Sequence, residues 1–207
     1  NVTPAASKAI KFNSSNNGLE TGDIGGSLVL ISTQTASSSS TISFTSGIDS
    51  TYKEYIFKFI DIHPAAVSQF SFQGNAAGGS GYNETITSTS FQSFHREDDS
   101  STSLNYRTGD DQAQGTSFQV LTNNVGDDAD QSCSGTLHLF NPSSTTFVKH
   151  FISRIQVYRS TGSSAEASSV EAFTAGYFNT TSAIDEIQFK MSSGNIDSGT
   201  IKMYGVS

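Results

Sequence analysis

Four histidines, one cysteine and three runs of acids are the side chains of this sequence whose types could do chemistry. The histidines are His63, His95, His138 and His150, and no two lie at the short spacing that a zinc pair on one element requires. His138 and His150 fall inside strand-like stretches, out of phase with their apolar neighbours. They are expected at the surface or hydrogen-bonded between strands rather than in a catalytic centre. The acids gather at Glu97-Asp98-Asp99, at Asp110-Asp111 and at Asp127-Asp128-Ala129-Asp130. Calcium takes roughly six to eight oxygen ligands and tolerates irregular loops, so Asp127, Asp128 and Asp130 are the candidate metal ligands. Their spacing matches no defined calcium loop, and a solvated acidic turn is the competing reading.

Nucleophilic catalysis needs a serine or cysteine set against a base, and the chain carries neither a G-x-S-x-G elbow nor a cysteine-protease signature. Cys133 has no basic neighbour in sequence except His138, and is expected to be an inert, partly buried thiol that cannot form an internal disulfide. Polysaccharide cleavage would need two carboxylates across a cleft, for which Asp98, Asp99, Asp127 and Asp128 are the nameable acids. Sugar binding relies on exposed aromatic planes. Tryptophan is absent, which leaves Tyr82, Tyr106 and Tyr158 as candidate glycan-stacking residues. No enzyme activity and no cofactor is expected, calcium being the one ion the sequence could accommodate.

The elements that would position these groups read as strands. Charged residues make up only 14% of the chain, while serine, threonine and glycine together fill more than a third of it. That composition suits a turn-rich β protein better than a helical enzyme. Net charge is −8 with cations scattered along the chain, a poor surface for nucleic acid, which draws its partners with clustered lysine and arginine. No stretch approaches the length of a membrane-spanning helix, so no membrane insertion is expected.

Period-two alternation marks about ten or eleven strands. They begin with Leu28–Ser32 and the pair Ile42 and Phe44. Glu54–Ile62 is the strongest, with Tyr55, Phe57 and Phe59 on one face and Ile56, Ile60 and Ile62 on the other, and is expected to be a central strand covered on both sides. Gln69–Gln73, Glu84–His95, Ser117–Thr122, Gly135–Phe140, Thr146–Tyr158, Val170–Tyr177, Glu186–Met191 and Thr200–Tyr204 follow. Ala76–Gly81, Arg96–Gly115 and Ser160–Ser169 are the long loops. The fold class expected is all-β, a two-sheet antiparallel β-sandwich of jelly-roll-like type with about 8–11 strands. Residues 1–20, with a small apolar patch at Ile10 and Phe12, form an arm or edge strand or a disordered leader, and residues 21–207 the sandwich domain.

Three runs carry a resemblance. STQTASSSSTISFTSGIDSTYKEYIFKFIDIHP (Ser32–Pro64), LFNPSSTTFVKHFISR (Leu139–Arg154) and AGYFNTTSAIDEIQFKMSSGNIDSGTIKMYGV (Ala175–Val206) resemble a family of proteins of similar length from marine tailed bacteriophages, cyanophages among them. The likeness covers nearly the whole chain after Gly26. It implies a virion structural protein, either a capsid decoration protein or a tail-fibre or appendage component, working by protein–protein binding and particle stabilisation. The alternatives are a receptor- or glycan-binding module of the virion and a polysaccharide depolymerase. The partners implied are other copies of the chain, with a trimer the expected oligomer, other virion proteins and a host surface glycan. The location implied is the virion surface, after assembly in the host cytoplasm.

Overall fold

The computed structural model describes residues 8–23, 27–159 and 167–207 of the 207-residue chain. Those residues hold fifteen strands and no helix, arranged in two large antiparallel sheets and a separate hairpin. The hairpin pairs β1 (Lys8–Phe12) with β2 (Leu19–Asp23), and so runs past residue 20, where the arm was expected to end. β3 (Leu28–Thr35), β5 (Glu54–Pro64), β7 (Ile86–Arg96), β8 (Thr102–Tyr106), β9 (Ala113–Gly115), β11 (Cys133–Phe140), β12 (Lys149–Arg159), β13 (Ser168–Phe178) and β15 (Ile196–Val206) form the large sheet. Its order is β3-β15-β5-β11-β12-β13-β7-β8, with β9 beside β8 on β7. The small sheet runs β10-β6-β14-β4, from β10 (Gln119–Val120), β6 (Phe70–Ala76), β14 (Ile184–Met191) and β4 (Ile42–Phe44). All eleven strands expected from alternation are present. The Arg96–Gly115 loop holds β8 and β9 instead, and most of the Ser160–Ser169 loop lies outside the described residues.

The two sheets face each other across a layer of phenylalanines. Phe189 of β14 stands at its centre, with ring centroids 5.4 and 5.3 Å from Phe57 and Phe59 of the large sheet. Within its own sheet it lies 6.2, 5.6 and 6.3 Å from Phe44, Phe70 and Phe72. Edge-to-face and offset contacts at these distances add to the area buried. All six rings are buried.

β5 corrects one expectation. It is central in its sheet, between β15 and β11, but its outer face is open, with Ile60 41% exposed. A bulge explains the rest: Ile60 and Asp61 together oppose Ser134, and Asp61 takes φ 51°. The extra residue turns Ile62 back into the core, where it is fully buried. Gly199 permits this on the other side. Its φ is 118°, and a Cβ there would lie 2.6 Å from the carbonyl oxygen of Asp61.

Under β7 part of the interior is polar. The inward positions of β7 are Ser88, Ser90 and Gln92, all buried, and the segment from Arg107 to Val125 covers them. A loop packed inward must satisfy its own backbone groups. Side-chain amides do so here: Gln119 donates to the Asp110 carbonyl at 2.7 Å and accepts from the Ser88 hydroxyl at 2.6 Å. Asn123 donates to Gln92 at 2.9 Å. On the outside of the small sheet, Gln73 reaches the carbonyls of Glu84, Thr116 and Ser117.

Replacing Phe189 by alanine should lower unfolding free energy by about 3–5 kcal/mol. Urea denaturation followed by tyrosine fluorescence measures it; a loss below about 1 kcal/mol would mean that the phenylalanine layer is not the keystone.

Candidate functional site

Each histidine has a structural partner. His138 Nδ1 lies 2.6 Å from Glu54 across two strands of the outer face, and His63 Nδ1 lies 2.6 Å from the Gln131 carbonyl. His95 meets Asp99 at 2.9 Å, and the His150 ring packs edge-on to Tyr177 at 6.1 Å. Among the described residues no three His, Cys, Asp or Glu side chains converge as a metal ion needs. Asp127, Asp128 and Asp130 are brought into the β10–β11 connection but point to solvent, and Asp128 is bonded to the Gln131 amide at 3.0 Å. The run is exposed along its whole length, as a solvated acidic turn would be.

The acids named for polysaccharide cleavage are engaged in turns. Asp98 accepts from both the hydroxyl and the backbone N–H of Ser100, at 2.6 and 3.0 Å. Those bonds hold its carboxyl below the usual carboxylate range. Asp99 is the partner of His95.

The three candidate tyrosines are not brought together. Tyr82 donates to Glu186 of the small sheet at 2.9 Å. Tyr106, 51% exposed on β8, donates to Asp111 at 2.6 Å. Tyr158 stands at the end of β12, three strands across and four residues of register from Tyr106, about 20 Å by strand spacing. All three hydroxyls are held above their ordinary value. For Tyr82 and Tyr158 the main cause is burial, and for Tyr106 it is the bond to Asp111, so none is a phenolate at neutral pH.

Cys133 is 1% exposed on β11, between Ile62 and Val157. Burial pushes its thiol up to about 12, more inert than the partly buried thiol expected. Lys149, which sequence reasoning passed over, is also fully buried. Its ammonium donates to the carbonyls of Phe147 and Thr180 at 2.7 and 3.1 Å, tying the β11–β12 connection to the β13–β14 connection. Burial lowers its pKa from the ordinary 10.5.

Two unpartnered apolar surfaces remain. One is a shallow hollow of about 440 Å³ on the outer face of the large sheet, where small Ala175 lies among Thr87, Thr89, His150, Ile152 and Tyr177. Beside it the guanidinium of Arg154 covers Phe173 at 5.4 Å, and Phe173 stacks on Phe91 at 4.7 Å. Those ring faces are used on one another as cross-strand pairs.

The other surface is the N-terminal strip. Phe12 and Leu19 sit opposite each other in the hairpin with Ile10 on the same face, and they are 69%, 52% and 62% exposed. β3 then presents Leu28, Val29 and Leu30, also exposed, at the free edge of the large sheet. Sequence reasoning marked the Ile10 and Phe12 patch. It missed Leu19 and read Leu28–Ser32 as an ordinary apolar strand, since alternation does not tell an edge from a centre.

Comparison with known protein families and with curated proteins finds no match to this chain.

Two measurements check the buried groups. Iodoacetamide near neutral pH should leave Cys133 unmodified in the native protein and alkylate it fully in urea, as read by intact mass; rapid native labelling would contradict its burial. For Lys149, the unfolded chain holds the proton more tightly than the native state, so stability from this group rises as pH climbs towards 10.5. Wild-type urea midpoints, referenced to Lys149→Met, should shift upward between neutral pH and about 10; a flat difference would show that the ammonium is not penalised by its site.

Proposed function

We propose that this chain is a structural part of a virus particle, a jelly-roll-like sandwich on the capsid or tail surface that acts by binding protein neighbours and strengthening the particle. One observation carries the binding part of this reading. Of the twelve large apolar side chains exposed among the described residues, six (Ile10, Phe12, Leu19, Leu28, Val29 and Leu30) lie within the short N-terminal strip. Exposed apolar side chains gathered in so short a stretch of chain cost solubility unless something covers them, which marks them as an interaction site. The hairpin pairs only with itself in the sheets, so its apolar face serves no core of its own. The resemblance of the three long runs to phage proteins supplies the setting. An attachment arm of this kind gains strength by repetition across a symmetric lattice.

A receptor-binding role is the second reading, favoured by the hollow beside His150 and Tyr177, whose aromatic rim suits the apolar face of a sugar ring.

Antibody to this chain should label the outside of intact virus particles in electron micrographs, and Phe12→Ser should reduce labelling while leaving the melting temperature of the isolated protein nearly unchanged. Particles that carry none of the chain would overturn the structural reading. Retention on a glycan array by the wild type, abolished by Ile152→Asp at the hollow, would favour the receptor role instead.

A further inference from the structure

We infer that the hairpin and β3 together form a two-fold interface with a second copy of this chain, in which the Leu28–Leu30 half of β3 pairs antiparallel with its counterpart. The inference rests on the docking reading of the N-terminal strip and names its partner.

The argument starts from the sheet edges. The free edges are β10 with two residues, β4 with three, β8 and β9 with five and three, and β3 with eight. Natural edges are kept apart by shortness, by charge or by proline. The first two edges are too short to pair. The β8 edge lies between the exposed run Glu97-Asp98-Asp99 and Asp111, and an antiparallel two-fold contact would set these carboxylates against one another. β3 has none of these guards: no residue from Ile24 to Ile48 is charged, and none is proline.

Charge then selects the partner. Residues 1–48 contain two lysines, Lys8 and Lys11, and two acids, Glu20 and Asp23, so they sum to zero and the whole −8 falls on residues 49–207. A two-fold axis sets each charge near its own copy, so an isologous contact between strongly acidic molecules is tolerated only where the surface is neutral. The strip is the neutral part of the chain. A partner of unrelated sequence chosen for an acidic protein would find no charge here to select it.

One irregularity limits the ladder. Ile31 has no direct partner on β15, and its side chain turns inward against Gly47, whose Cβ position lies 2.8 Å from it. A bulge of this kind twists the edge. Strand pairing is thereby confined to Leu28–Leu30, and the hairpin face of Ile10, Phe12 and Leu19 supplies the rest of the contact.

Light scattering of the chromatographed chain, over a dilution series, tests this. The wild type should have twice the 22.0 kDa chain mass. Leu30→Lys and Phe12→Lys should each weaken dimerisation by roughly tenfold or more while leaving the melting temperature of the diluted monomer unchanged, because both side chains are exposed in the single chain. Leu104→Lys, on the exposed β8 edge, should leave the dimer intact. A trimer, or a dimer indifferent to both strip variants, overturns the inference. A wild-type monomer that binds purified virus particles, and loses that binding in Phe12→Lys, keeps the docking reading and removes the second copy as partner. A monomer that binds no particle removes both.

Discussion

The contact between Phe189 and the five phenylalanines around it is the constraint on which the rest of the structure depends. Two twisted sheets hold together only where side chains from both inner faces interlock, and here one ring touches Phe57 and Phe59 on one side and Phe44, Phe70 and Phe72 on the other. Chain segments far apart in sequence thereby become one layer. The small sheet has four strands against nine, so this layer covers only part of the large one. What lies beyond it, the polar interior under β7, follows from that shortfall.

Where the small sheet narrows to the two-residue β10, the Arg107–Val125 segment covers β7, and its irregular stretches demand donors and acceptors that aliphatic side chains lack. Gln73, Gln119 and Asn123 meet that demand from buried positions. Lys149 works the same way at another end of the interior, trading hydration for two carbonyls. These groups look like chemistry in isolation. Their partners are backbone atoms of the chain itself, so their role is to fix loops. Cys133, buried among aliphatic neighbours, is likewise part of the packing.

Alternation of phenylalanine, tyrosine and isoleucine made the sandwich legible from sequence, and every strand expected on that ground is present. β8 and β9 were hidden because Thr102–Tyr106 and Ala113–Gly115 have no inner face to advertise; they are strands by pairing with β7, not by burial. Ile62 was assigned to the wrong face because a bulge shifts phase without any mark in the apolar pattern. Nothing in the sequence marks Ser88, Ser90 and Gln92 as an interior row, since their polarity answers a loop distant in sequence. The candidate site was partly visible: Ile10 and Phe12 stood out as apolar residues in a polar leader. That the Leu28–Leu30 run belongs with them depends on β3 lying at an edge, which only the pairing of β15 decides. For the acidic run at Asp127, proximity in sequence says nothing about where the carboxylates point.

The place of β15 also governs when the molecule can come into being. β15 lies between β3 and β5, pairing with both, so until it is made β3 has no strand to join and β5 has a bare edge. Contacts of such long sequence separation form slowly. During synthesis, therefore, the nascent chain exposes β3 and β5 with no neighbour between them, and their shielding during that interval cannot come from the finished architecture.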